Sequence, residues 1–183
     1  QLRLGAFQTS LSILSAIGGQ SPYFSRATYY RATALVGLGR HPEAIGLFQG
    51  LVGQAGTGEH EARVGDLARL ALGRLTLEQG DIVTAVTHYQ MISRNSPSYE
   101  VALYEMAWAH IESEQYDKAL NTIDSLLLTV KDPQLDVEAH TLRGRLNIFL
   151  DDHDTAVDTF EKIINRFAPI RNELDKFTRD PKN

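Results

Sequence analysis

Residues 72–89 read Leu72-Gly73-Arg-Leu-Thr-Leu-Glu-Gln-Gly80-Asp-Ile-Val-Thr-Ala85-Val-Thr-His-Tyr89: an apolar periodic run, a glycine turn, and a second run that starts from a small residue. Tyr89 follows Ala85 by four positions and Ile92 follows Tyr89 by three, which places all three on one helix face. The same face recurs on either side, as Ala44, Phe48 and Leu51, as Ala119, Ile123 and Leu126, and as Ala156, Phe160 and Ile163. A turn element precedes each alanine: Leu38-Gly-Arg-His-Pro-Glu-Ala44, Gln79-Gly-Asp-Ile-Val-Thr-Ala85, Glu114-Gln-Tyr-Asp-Lys-Ala119 and Asp151-Asp-His-Asp-Thr-Ala156. Successive alanines lie 41, 34 and 37 residues apart, near the roughly 34-residue period of one helical hairpin. The chain therefore reads as an array of helix-turn-helix units rather than one globular core.

At these positions the sequence resembles the tetratricopeptide repeat family over residues 25–169. The second unit supplies Leu72-Gly73, Gly80, Ala85, Tyr89 and Pro97; the third Leu103, Met106-Ala107, Tyr116 and Ala119; the fourth Gly144, Ala156, Phe160 and Pro169; the first Ala32, Gly39, Ala44 and Phe48. No unit carries every signature residue. The resemblance implies an all-α fold, a right-handed superhelical array of antiparallel helix hairpins, with about four repeats, a partial N-terminal hairpin and a C-terminal capping helix. The expected divisions are 1–20 for the partial repeat, 22–56, 61–97, 98–131 and 134–168 for the repeats, 169–178 for the capping helix and 179–183 for a tail. The first unit lacks a closing proline and runs into Gly53-Gln-Ala-Gly-Thr-Gly58, which lengthens the joint by seven residues and reads as a flexible inter-repeat loop.

Each hairpin of a solenoid packs only on its neighbours, so the 183 residues count as one quasi-linear unit. A net charge of −5 and the absence of a basic cluster argue against nucleic acid as the main partner. No apolar stretch approaches the roughly 20 residues that span a bilayer. The sequence has no cysteine, which removes disulfides and thiol chemistry and is compatible with cytosol or periplasm. Gln1 stands in place of methionine, and Leu4 to Ile17 reads as the second half of a preceding hairpin, which implies residues upstream. Pro169 suits a first helical turn, followed by an Ile170, Leu174, Phe177 stripe; Thr178 to Asn183 reads as a frayed tail.

No catalytic, metal or cofactor constellation stands out, and a noncatalytic protein is expected. Asp151-Asp152-His153-Asp154 has metal-ligand chemistry, but it occupies the turn where Asp caps the next helix at Gly80-Asp81, and its counterparts are Tyr116-Asp117 and Arg40-His41. His110 and His140 lie on first helices of different units and read as satisfied or exposed histidines. Gly53 to Gly58 lacks the Lys-Ser or Lys-Thr of a phosphate loop, and Glu59-His60-Glu61 follows instead.

In proteins of the resembled family, the first helix of each unit lines a concave face. Laying the helical period on these helices turns Tyr29, Thr33 and Val36 inward, then Leu70, Arg74 and Leu77, then Tyr104, Trp108 and Ile111, then Thr141, Arg145 and Ile148 with Phe149 beside them. The expected partner-binding groove is Tyr29, Thr33, Leu70, Arg74, Leu77, Tyr104, Trp108, Ile111, Arg145 and Phe149, apolar and aromatic with two guanidiniums able to hold a carboxylate. Two alternatives stay open: a one-residue rotation of the third unit would bury Trp108, and the chain's own segments would make the lining core by filling the groove.

Three functions compete: an adaptor that binds a protein segment or helix in the groove, a structural or oligomerisation module that pairs exposed end helices with a second copy, and a regulatory repeat domain of a larger protein. The stretch from Tyr104 to Ala119, with Phe160 to Arg171, is also similar to repeat scaffolds of the bacterial cell envelope, including periplasmic assembly and gliding-motility machinery. That resemblance implies a periplasmic or envelope location and an envelope partner, with cytoplasmic scaffolding as the alternative.

Overall fold

In the computed structural model the described residues are 2–55 and 58–179, with the side chains of 2–4 and 175–179 outside the description. Among them the chain is all-α. It forms α1 (Leu2–Ser15), α2 (Phe24–Gly37), α3 (His41–Gln54), α4 (Glu59–Glu78), α5 (Ile82–Gln90), α6 (Tyr99–Glu112), α7 (Tyr116–Leu127), α8 (Pro133–Phe149) and α9 (His153–Arg179). Two compact units are present, Gln1–Glu105 and Met106–Asn183, and the division falls within α6.

Four hairpins share one packing register. A small residue, Ala32, Gly73, Ala107 or Gly144, sits on each first helix, fully enclosed. Twelve positions on comes the alanine of the second helix, Ala44, Ala85, Ala119 or Ala156, each at most 2% exposed. Sixteen on comes the bulky residue, Phe48, Tyr89, Ile123 or Phe160. In two of the hairpins the aromatic ring lies in the space the glycine leaves: a Cβ built on Gly73 would come within 2.4 Å of the Tyr89 ring, and one on Gly144 within 2.6 Å of Phe160. In the first unit the core gathers Leu35, Phe48, Leu51, Val64, Leu72 and Leu75 around the alanines. In the second unit Ile123, Leu126, Leu142 and Leu146 are buried in the same way.

The four joints repeat one backbone motif. Gly39, Gly80, Glu114 and Asp151 all adopt left-handed φ, at +73°, +79°, +57° and +58°. The next amide donates to the carbonyl five residues back, Arg40 to Leu35, Asp81 to Thr76, Gln115 to His110 and Asp152 to Asn147, at 2.8–2.9 Å. This is the Schellman arrangement that satisfies the last carbonyls of a helix. Asp81 and Asp152 then cap the following helix by accepting from the amides of Thr84 and Thr155, each at 3.1 Å. The aspartate cap expected at each joint is thus found at these two; Arg40 and Gln115 occupy the N-cap positions of α3 and α7 without a side-chain bond, and Asp117 lies in the first turn of α7.

Two differences from the sequence reading concern helix ends. The seven extra residues of the first joint do not form a long loop: α3 continues through Gly53 to Gln54 and α4 starts at Glu59, leaving only Ala55–Gly58 between them, of which 56 and 57 lie outside the described residues. Gly65 permits the close approach, since a Cβ there would fall 2.4 Å from that of Ala55. At the far end no separate capping helix forms over 169–178, because Pro169 lies inside α9. Proline's fixed φ is helical, and continuing through it forfeits one backbone hydrogen bond. The Phe177 side chain and the tail residues 180–183 lie outside the described residues.

Candidate functional site

In the first unit the expected groove residues have distinct surroundings. Tyr29 is half-buried between Tyr30 and Phe48, with ring centroids 5.6 Å away in both cases. Thr33 is exposed, and its hydroxyl donates to the Tyr29 carbonyl at 3.0 Å. Leu70 is only 7% exposed and belongs to the core, which corrects its placement on the groove: α4 is covered on that side. Leu77 and Tyr104 are half-buried.

Arg74 is not a vacant carboxylate receptor. Its guanidinium meets the Glu105 carboxylate, Nε donating to both oxygens at 2.9 Å, and the two side chains are 54% and 20% exposed. The hydrogen bond to Glu105 raises the Arg74 pKa above the ordinary arginine value. Tyr89 packs beneath the pair. Burial first, then the Glu105 charge, pushes its phenol above the usual range, and its buried hydroxyl lacks a well-aligned acceptor among the described residues. The guanidinium on α4 is therefore satisfied by the chain's own α6.

In the second unit Trp108 is 42% exposed while Met106, Ala107, Ala109 and His110 beside it are buried. Ile111 is half-buried. Arg145 is exposed and has no ion pair among the described residues. Phe149, 59% exposed, stacks face to face on Tyr116 at 4.9 Å and 5°. Ile148 is likewise exposed, and Thr141 turns its hydroxyl to the Val137 carbonyl at 2.8 Å.

Of the two histidines, His110 departs from the expected satisfied or exposed state, whereas His140 meets it. His110 is buried with Nδ1 unpartnered, and burial, then the Lys118 charge, lowers its pKa. His140 lies 3.6 Å from Asp136, which also receives Arg166. No group of three or more His, Asp or Glu among the described residues could hold a metal. No helix among them is long and apolar enough to cross a membrane.

A cavity of about 240 Å³ in the first unit escaped the sequence reading. Tyr29 lines it with Arg26 and Tyr30 of α2, with His60, Arg63, Val64 and Leu67 of α4, and with the segment Ser96-Pro97-Ser98. The one available signal was the 41-residue spacing between Ala44 and Ala85, which announces extra chain at this place.

Three tetratricopeptide-repeat families match the sequence, over residues 31–100, 76–146 and 138–168, and together they run without a gap from 31 to 168. The chain belongs to the tetratricopeptide-repeat family. No curated protein sequence matches it. Among solved structures, it is similar to the nearly identical TPR-like repeats of a Podosopora anserina chain assigned as a kinesin light chain, with TM-score 0.69 and 17% identity over 92% of this chain and 87% of that one. It is also similar to MamA of Desulfovibrio magneticus RS-1, with TM-score 0.61 and 20% identity over 90% and 87%. MamA of AMB-1 follows, with TM-score 0.60 and 14% identity over 94% and 91%. At these identities the likeness is one of fold. The exposed Thr33, Trp108, Arg145, Ile148 and Phe149 all stand on the first helices α2, α6 and α8.

Proposed function

We propose that the protein is a noncatalytic scaffold whose first-helix face holds a segment of a partner protein. The observation that carries this is the exposure, within the second unit, of Trp108 on α6 and of Ile148 and Phe149 on α8, together with Arg145, which is exposed and has no ion pair among the described residues. Aromatic side chains and arginine are the types that dominate interface energetics, and large apolar side chains left exposed mark surfaces that a partner covers. Tetratricopeptide repeats as protein-interaction modules support the same reading.

A bacterial envelope partner is part of this proposal. It draws on the similarity of Tyr104 to Ala119 to envelope scaffolds. Affinity capture from separate envelope and cytosolic fractions, comparing the native chain with a folded Trp108→Ala/Arg145→Ala variant, tests both parts. A protein recovered from the envelope by the native chain and lost by the variant is the expected result. Identical capture by both removes this face from the proposal, and a cytosolic partner removes the envelope.

A second reading, self-association through end helices, draws on exposed Ile13 of α1 and exposed Ile164, Ile170 and Leu174 of α9. Sedimentation equilibrium decides it: a monomer at tens of micromolar rejects it.

A further inference from the structure

The extra residues between the first two hairpins do more than lengthen a joint. Because α4 starts at Glu59, its opening turns carry His60 and Arg63 to the cavity wall opposite Arg26 and Tyr30 of α2. Val64 and Leu67, one turn further along α4, give the cavity its apolar side, and Tyr30 stands 53% exposed at it. At about 240 Å³ the space falls below the roughly 300–1,000 Å³ of small-molecule sites, which suits one anchoring side chain rather than a whole ligand.

Its charge is specific. Arg63 already pairs with Glu59 at 2.7 Å, whereas Arg26 is exposed with no ion-pair partner among the described residues. Two guanidiniums against one carboxylate leave one positive charge uncompensated, in a chain whose formal charge is −5. Ser96 accepts a hydrogen bond from the Ser98 amide at 3.3 Å, which leaves its hydroxyl hydrogen available to donate. A single unmatched charge suits a carboxylate better than a phosphate group, which carries about −1.5 to −2.

We propose that this cavity takes a partner-protein segment in which a large apolar side chain is followed directly by Asp or Glu. The apolar side chain packs on Val64 and Leu67, and the carboxylate meets Arg26 as a charge-assisted fork. The inference rests on the first-helix face being a peptide-binding surface, and it adds the chemistry of the anchor.

The test is a display selection from a library of random dodecapeptides against the full chain and against Arg26→Glu and Tyr30→Ala variants, with circular dichroism confirming that each is folded. Severalfold enrichment of Asp or Glu directly after Leu, Ile, Phe or Trp is expected with the native chain. Synthesised winners should lose about tenfold or more in affinity on Arg26→Glu, the scale of one charged hydrogen bond, and weaken on Tyr30→Ala. Winners without the acidic bias, or acidic winners held equally by Arg26→Glu, overturn the anchor while leaving the peptide-binding face standing. Tighter binding when phosphoserine replaces the acid overturns the choice of carboxylate. Failure of any peptide to enrich overturns both readings.

Discussion

At the four hairpin joints one left-handed backbone conformation falls on two glycines and on two residues that carry a Cβ, Glu114 and Asp151. That conformation costs an ordinary residue roughly 1–2 kcal/mol, while glycine's extra freedom in the unfolded chain takes back about 0.4–1 kcal/mol. Glu114→Gly should therefore stabilise the fold by about 0.5–1 kcal/mol, read as a higher urea midpoint; an unchanged or lower midpoint would mean the Glu114 joint is not held as described. Asp tolerates the conformation better, so Asp151→Gly should gain less. The inverse case is Gly73, where even a methyl group would meet the Tyr89 ring at 2.4 Å. Tyr89 is 2% exposed and has nowhere to move. Gly73→Ala should cost on the order of 1–3 kcal/mol by overpacking. His110 sets an acid limit at the same scale. Burial, then Lys118, depresses its folded pKa, so the unfolded chain binds the proton more readily and the stability His110 contributes is complete above its unfolded value of about 6.5 and lost as pH falls through the folded value. His88, depressed by burial and then Arg69, adds in the same direction. A His88→Gln/His110→Leu variant should show a flatter fall of unfolding midpoint between pH 7 and 5; an unaltered slope would assign the acid sensitivity to other groups.

Helices are where sequence and structure part company. Hairpin existence was legible because packing writes itself locally: the alanine and the bulky residue four on sit on one face, and the turn lies between two periodic runs. Pairings between helices leave no such mark. Nothing in the local sequence of Arg74 says that Glu105, 31 residues on, will take its guanidinium, nor that Leu70 will be covered. A periodic wheel assigns an inward direction without saying what stands opposite. The α4 extension was invisible for another reason: Gly53 and Gly58 look like loop, yet flanking helix formers and the close contact of Gly65 with Ala55 extend both helices toward each other. These differences change what the two arginines expected on the groove should do. Arg74→Ala strands the Glu105 carboxylate above the buried Tyr89, and for a pair half in water the loss should be about 1 kcal/mol. Arg145 has no ion pair among the described residues, so Arg145→Ala should stay within about 0.5 kcal/mol of the native chain. Equal thermal shifts for the two would contradict the ion-pair assignment.

For the molecule as a whole, the question is how far a local defect travels. In the first unit helices pack on their chain neighbours, with α2 also touching α4, and in the second α8 packs on α7 and α9. Such an array distributes its stability as a sum of hairpin terms and nearest-neighbour terms. Gly73 and Gly144 sit in different units and perform the same task, each leaving room for an aromatic ring of its own hairpin. Because each glycine meets the ring of its own hairpin, Gly73→Ala and Gly144→Ala should add, the double variant losing the sum of the single losses to within about 0.3–0.5 kcal/mol. Hydrogen exchange on the single variants gives the spatial form of the same claim. Amides of α4 and α5 should lose protection in Gly73→Ala while those of α8 and α9 keep theirs, and Gly144→Ala should show the reverse. Strong non-additivity, or loss of protection along the entire chain from one substitution, would mean that the units melt as a single cooperative block. A scaffold gains from the local alternative, because a segment that strains or orders one hairpin on binding leaves the remaining repeats free to hold something else.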